Sequence, residues 1–269
     1  MTILQPKHIL ELSAHKGGVT SVSFSPDGQY LASSGYDSRI CLWGTSNWQE
    51  AQFIKGHYRG HVAYSPNGSL LASGGMGAGV TIYNAHSLKQ LHILKENDNV
   101  WALAFHTSEP ILALAEPTES NDNPKVPILL IDCNSWQVRD RINIDAEYVY
   151  SVTYSPNGKY VAIATDQSTD VSVWTADYKH LLKEFSAHDR TTWSISWSSD
   201  SRYLLTTGSD GFARIWDFSS LDLAAEFSSA GASYGDSSND RVLCAAFSPD
   251  GMTIASGNLD GQMNIWKLH

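Results

Sequence analysis

The chain has 269 residues, enough for one large domain or two small ones, with 18 Lys+Arg against 28 Asp+Glu for a formal charge of −10. That balance argues against a general nucleic-acid binder, which carries a basic stripe, and suits a partner that is neutral or basic. No run approaches the ~18 apolar residues of a membrane span, and the start "MTILQPKHILELS" lacks a basic segment followed by a long apolar one, so neither a membrane nor a secretory signal is expected.

Taken in chain order, residues 7–15, "KHILELSAH", read as a strand, and "VSFSPDGQYLASSGYDSRICLW" follows at 22–43. The same wording returns as "VAYSPNGSLLASGGMGAGVTIY" at 62–83, more weakly from "LAFHTSEPILALAE" to "ILLID" at 103–132, and then as "VTYSPNGKYVAIATDQSTDVSVW" at 152–174. "ISWSSDSRYLLTTGSDGFARIW" at 195–216 and "AAFSPDGMTIASGNLDGQMNIW" at 245–266 complete the series. Each copy alternates apolar and polar residues at strand period, and its Pro/Gly turn suits a tight bend. No segment has a long helical period, so the expectation is an all-β repeat array. The repeats fall at 14–55, 56–95, 96–144, 145–186, 187–228 and 229–269, with 7–13 added to the last, in a single domain 1–269.

These copies resemble WD40 repeats. The marks are Ala14-His15, Gly56-His57 and Ala187-His188 at the start, Trp43, Trp174, Trp216 and Trp266 at the end, and one literal Trp216-Asp217. The resemblance implies a six-bladed β-propeller whose last blade is completed by the N-terminal strand. An open ring finished by a partner, or seven blades, are the alternatives. It also implies a buried hydrogen-bonding quartet, complete at His15, Ser33, Asp37 and Trp43 and at His188, Thr206, Asp210 and Trp216. The sixth repeat keeps Ser256, Asp260 and Trp266 without the histidine. The second keeps His57 and Ser73, with Gly77 and Tyr83 in the other places, and the third and fourth have lost most of the set. Buried polar groups persist when each atom has a partner, so these residues are read as structural.

The resemblance implies function on the face where each innermost strand begins. Val149 and Val152 stand three apart, which breaks strand alternation as a bulge does and frees Tyr148 and Tyr150 to face the channel mouth. In the same register stand Gly18 and Thr20, Tyr58 and Gly60, Asn99 and Trp101, Thr191 and Trp193, and Arg241 and Leu243; the residue before the quartet aspartate adds Tyr36, Ser209 and Leu259. The partner-binding set is therefore Tyr36, Tyr58, Trp101, Glu147, Tyr148, Tyr150, Arg190, Trp193 and Arg241, with Glu96, Asp98, Asp145 and Asp189 in adjoining loops. Clustered Tyr and Trp make hot spots, and rings beside carboxylates suit Lys or Arg, so the expected occupant is a basic or mixed peptide segment of another protein. Two polar insertions, 116–127 and 228–240, belong to loops that the resemblance to WD40 repeats implies on the same face.

Chemistry is not indicated. There is no G-x-S-x-G elbow and no phosphate loop. "SGGMGAG" at 73–79 misses the dinucleotide spacing, and "HYRGH" at 57–61 has zinc-like spacing without a helix to align its histidines. Cys41, Cys133 and Cys244 are too scattered for a disulfide framework. No metal, no cofactor, no direct nucleic-acid contact and no catalytic residue are expected. The expected role is a non-catalytic interaction platform within a multiprotein complex, in a reducing cytoplasmic setting. A regulatory or ligand-sensing subunit of a larger enzyme complex, or a propeller hydrolase with a metal in its channel, are the alternatives.

Overall fold

The computed structural model describes residues 4–77, 79–94, 99–117, 125–166, 170–228 and 241–269. Among them the chain forms six four-stranded antiparallel sheets and no helix. The six innermost strands are Val19–Phe24, Tyr58–Tyr64, Ala102–Phe105, Val149–Tyr154, Thr192–Trp197 and Val242–Phe247. Each packs on the next, and the sixth packs back on the first, so the sheets are the blades of a closed six-bladed propeller. The Cys244 thiol donates to the Val19 carbonyl at 3.4 Å across that closing seam. Among the described residues there is neither an open ring nor a seventh blade.

Composition places the strands. The second strand of the first blade, Tyr30–Gly35, is buried from Leu31 onward and reads "LASSG", small enough for neighbouring blades to approach both faces. The outermost, Gln49–Lys55, is polar and exposed. Six apolar clusters fill the seams between successive blades; the one between sixth and first holds Val19, Phe24, Leu31, Trp43, Met263 and Ile265. Glycines at positive φ close the turns after the innermost strands of the first, second, fourth and sixth blades (Gly28, Gly68, Gly158 and Gly251). In the fifth, Ser201 holds that place at φ 60°.

The last blade is completed by the N-terminal strand, as the repeat count requires. Pro6–Ser13 runs antiparallel to Gln262–Leu268, from Pro6 opposite Leu268 to Ser13 opposite Gln262. His8 Nε2 bonds Asn264 Oδ1 at 2.8 Å and its ring lies edge-on to Trp266 at 4.9 Å. The pairing hides an edge that would otherwise recruit another strand.

Candidate functional site

The first blade holds a complete quartet in one donor order that satisfies every atom. Trp43 Nε1–H donates to Ser33 Oγ at 2.9 Å, the serine hydroxyl donates to His15 Nε2 at 2.8 Å, and His15 Nδ1–H donates to Asp37 Oδ1 at 2.8 Å. Asp37 also accepts from the Lys16 amide, tying the incoming loop to the blade. The fifth blade repeats the relay through Trp216, Thr206, His188 and Asp210 and adds Arg214, which donates to Asp210 Oδ2 at 2.7 Å, to the Ala187 carbonyl and to Glu226. The sixth blade retains the bond from Trp266 to Ser256, but Asp260 is exposed and Asn258 caps the turn instead. In the second blade His57 reaches Ser73 through Nδ1 at 3.1 Å.

Burial and partners shape the titration of His15 and Asp210 in opposite ways. Burial lowers the His15 imidazole despite the opposing pull of Asp37, so this histidine sits neutral in the fold. Burial also lowers His57 and His106. For Asp210, burial acts upward, but the bonds and charges of His188 and Arg214 outweigh it and hold the carboxyl at about 2, against an ordinary 3.8. Both effects act in one direction. The histidines, held below 6.5, contribute fully above that pH and lose their contribution as pH falls beneath it; Asp210 loses its own between 3.8 and about 2. Urea midpoints should fall continuously from neutral pH to about pH 3; a midpoint that rises on acidification contradicts this assignment.

Above the relay the innermost strands bulge. Register shifts fall between Val19 and Ser21, Val149 and Ser151, Thr192 and Ser194, and Val242 and Cys244, leaving Thr20, Tyr150, Trp193 and Leu243 unpaired at the rim of the channel. This is the bulge expected from Val149 and Val152, repeated in the first, fifth and sixth blades. The rings form an arc. Tyr58 lies 5.8 Å from Tyr36; Trp101 lies 5.2 Å from Tyr148, which stacks on Tyr150 at 6.1 Å and 11°, and Tyr150 lies 4.7 Å from Trp193. Trp193 Nε1–H donates to Ser209 Oγ at 2.7 Å, which fixes its indole. The arc flanks an opening of about 80 Å³, below which the channel widens to about 470 Å³.

Two residues that sequence reasoning missed shape this mouth. Arg59 bridges the gap in the arc, its Cζ 5.5 Å from the Tyr36 ring and 5.3 Å from the Trp101 ring. The second repeat is two residues short at its entry, which obscures the alignment. There the pairing runs from Tyr58 opposite Met76 directly to His61 opposite Gly74, so Arg59 and Gly60 bulge together. Arg59 takes φ 52°. A Cβ on Gly75 would lie 2.7 Å from His57 Cβ and 3.0 Å from Gly60 Cα, so the two glycines permit the close approach that aims Arg59 inward. The second is Asp166, whose Oδ1 accepts from the Glu147 and Tyr148 amides at 3.0 and 2.8 Å. It ties the loop as Asp37 does, without a histidine, and so positions Tyr148. The visible signal was a lone aspartate after the strand "YVAIAT".

The expected residues divide between the opening and its surroundings. Tyr36, Trp101, Tyr150, Trp193 and Arg241 line the opening, while Tyr58 and Tyr148 stand exposed beside it. Glu147 and Asp189 are exposed on the approach loops. Arg190 is exposed too, but it does not line the opening. Asp145 is at the end of the outer strand Gln137–Asp145, where it pairs with Lys125 at 3.3 Å. Glu96, Asp98 and most of the two insertions lie outside the described residues. The first insertion ends earlier than its composition suggests, because Lys125, Val126 and Pro127 open the strand Lys125–Asp132.

A closed ring of repeated blades with His–Ser/Thr–Trp relays defines a β-propeller of the WD type. The WD domain, G-beta repeat family matches residues 6–44, 48–84, 179–217 and 231–267, more than half of the chain, and the chain belongs to that family. It is 31% identical over 116 residues to periodic tryptophan protein 2 of Arabidopsis thaliana, covering 43% of this chain and 12% of that one. Against pre-mRNA-processing factor 19 of Bos taurus it is 24% identical over 141 residues, 52% of this chain and 27% of the other. A serine-threonine kinase receptor-associated protein of Dictyostelium discoideum is 25% identical over 256 residues, 94% of this chain and 81% of that one. The chain thus spans a small part of the first two relatives and most of the third.

Proposed function

We propose that this propeller is a non-catalytic platform that captures a segment of a partner protein across its channel mouth, as one subunit of a multiprotein assembly. The observation that carries the reading is the arc from Tyr58 and Tyr36 to Trp193, contributed by five blades and left accessible at Tyr58 and Tyr148. Aromatic side chains bury large areas at small entropic cost and dominate interface energetics. The name of the Dictyostelium relative, which describes association with a receptor kinase, supports a protein partner. Its setting in this reading is the cytoplasm, supported by three cysteines present as free thiols.

The test is affinity capture from the native cell by the wild type and by a Tyr150→Ala/Trp193→Ala variant. Each truncation at a hot spot costs about 2 kcal/mol of binding, so the double variant should lose its partner while its melting curve stays near that of the wild type. Identical partners on both proteins would move binding to another face.

A further inference from the structure

The opening is aromatic, and the charge it carries is positive. Arg59 and Arg241 line it, and among the described residues no aspartate or glutamate does. The arginines in ion pairs among the described residues are Arg39, Arg139, Arg202 and Arg214, so neither mouth arginine is neutralised there. Arg59 Cζ lies over the Tyr36 and Trp101 rings, 5.5 and 5.3 Å from their centroids. A guanidinium attracted to ring faces keeps its N–H donors, which match the two oxygens of a carboxylate. The rings also limit its rotamers before any ligand arrives, so little further ordering is needed on binding. The Arg59 charge is felt within the mouth: it lowers the imidazole of His61, whose larger downward push comes from burial, and it acts downward on the Tyr150 phenol, which burial and then the Asp166 carboxylate raise.

We propose that the centre of the mouth takes the carboxylate of an aspartate or glutamate in the partner segment, gripped by Arg59 with Arg241 beside it, while Glu147 and Asp189 on the approach loops meet basic residues flanking it. The segment is then mixed in charge, acidic at its centre and basic around it. This assignment rests on the mouth being the docking face, and it adds the chemistry that face selects. An opening of about 80 Å³ admits the end of one side chain and excludes a folded element.

The test is selection of a phage-displayed heptapeptide library on the immobilised full chain, followed by fluorescence anisotropy with the leading peptide. Enrichment of Asp or Glu at one fixed position is expected, and changing that residue to Asn or Gln should weaken binding by about tenfold. Arg59→Gln/Arg241→Gln should bind the acidic and amide peptides equally. Arg59→Lys, which keeps the charge without the fork, should recover part of the preference and guards against a folding defect in the double variant. Peptides that require Tyr150 and Trp193 but ignore charge, or that select Lys or Arg at the centre, overturn the carboxylate assignment and leave the docking face standing. Enrichment unchanged by Tyr150→Ala/Trp193→Ala, or no enrichment at all, overturns both.

Discussion

Asp210→Ala is expected to cost about 3 kcal/mol of stability, because breaking a buried ion pair leaves uncompensated charge and polar atoms behind. Asp210 is the acceptor for His188 Nδ1 and for Arg214, and it is 9% exposed. Removing it strands a buried imidazole, deprives a guanidinium that is 12% exposed of one of its two carboxylates, and releases the loop at Asp189. Asp260→Ala is the matched control. It has the same place in the sixth repeat, but its side chain is exposed, and a change within ±0.5 kcal/mol is expected, the usual range for a surface substitution. Equilibrium urea unfolding of both variants, followed by tryptophan fluorescence, decides the matter. Equal losses would mean that the relay contributes nothing beyond ordinary turn chemistry.

Deleting residues 1–13 should have the larger effect. The strand Pro6–Ser13 covers Gln262–Leu268, and Leu10 and Leu12 pack into the seam between the sixth and first blades. Half-burying two leucines contributes about 2–3 kcal/mol, before the His8–Asn264 bond and the strand pairing are counted. A loss of about 4 kcal/mol should lower Tm by roughly 10 °C in a chain of this size. The uncovered edge should also associate with other copies, visible as oligomers in size-exclusion light scattering. A synthetic peptide of residues 1–13 should reverse both effects in trans. An unchanged melt with a monodisperse truncated chain would show that the ring does not depend on its latch.

Repetition made the fold legible. A turn such as "SPDG" carries its own φ preference, and strand alternation is local, so six copies of the strand pattern, four of them with the Pro/Gly turn, announced six blades before any contact was known. The two full quartets were legible for the same reason, since their spacing within a repeat is constant. The mouth was legible only in part. Tyr36, Trp101, Tyr150 and Trp193 converge because the repeat register holds in their blades. That register fails in the second repeat, where a bulge of two residues turns Arg59 inward. Asp145 was misplaced because the outer strand of the third blade runs through it, and strand ends are set by pairing with a neighbour rather than by composition.

By itself, then, the sequence determined the repeat number, the strand pattern, the turns and the relays, all of which depend on interactions within about one repeat. Tertiary structure alone decided the closure of the ring, because that joins Pro6–Ser13 to Gln262–Leu268 across nearly the whole chain. It also decided the sign of the charge at the mouth. The acidic total of −10 is an average over the surface, whereas the opening is lined by residues from different blades. Only their packing puts Arg59 between Tyr36 and Trp101, because backbone approach at Gly60 and Gly75 directs a side chain in a way that no linear pattern records.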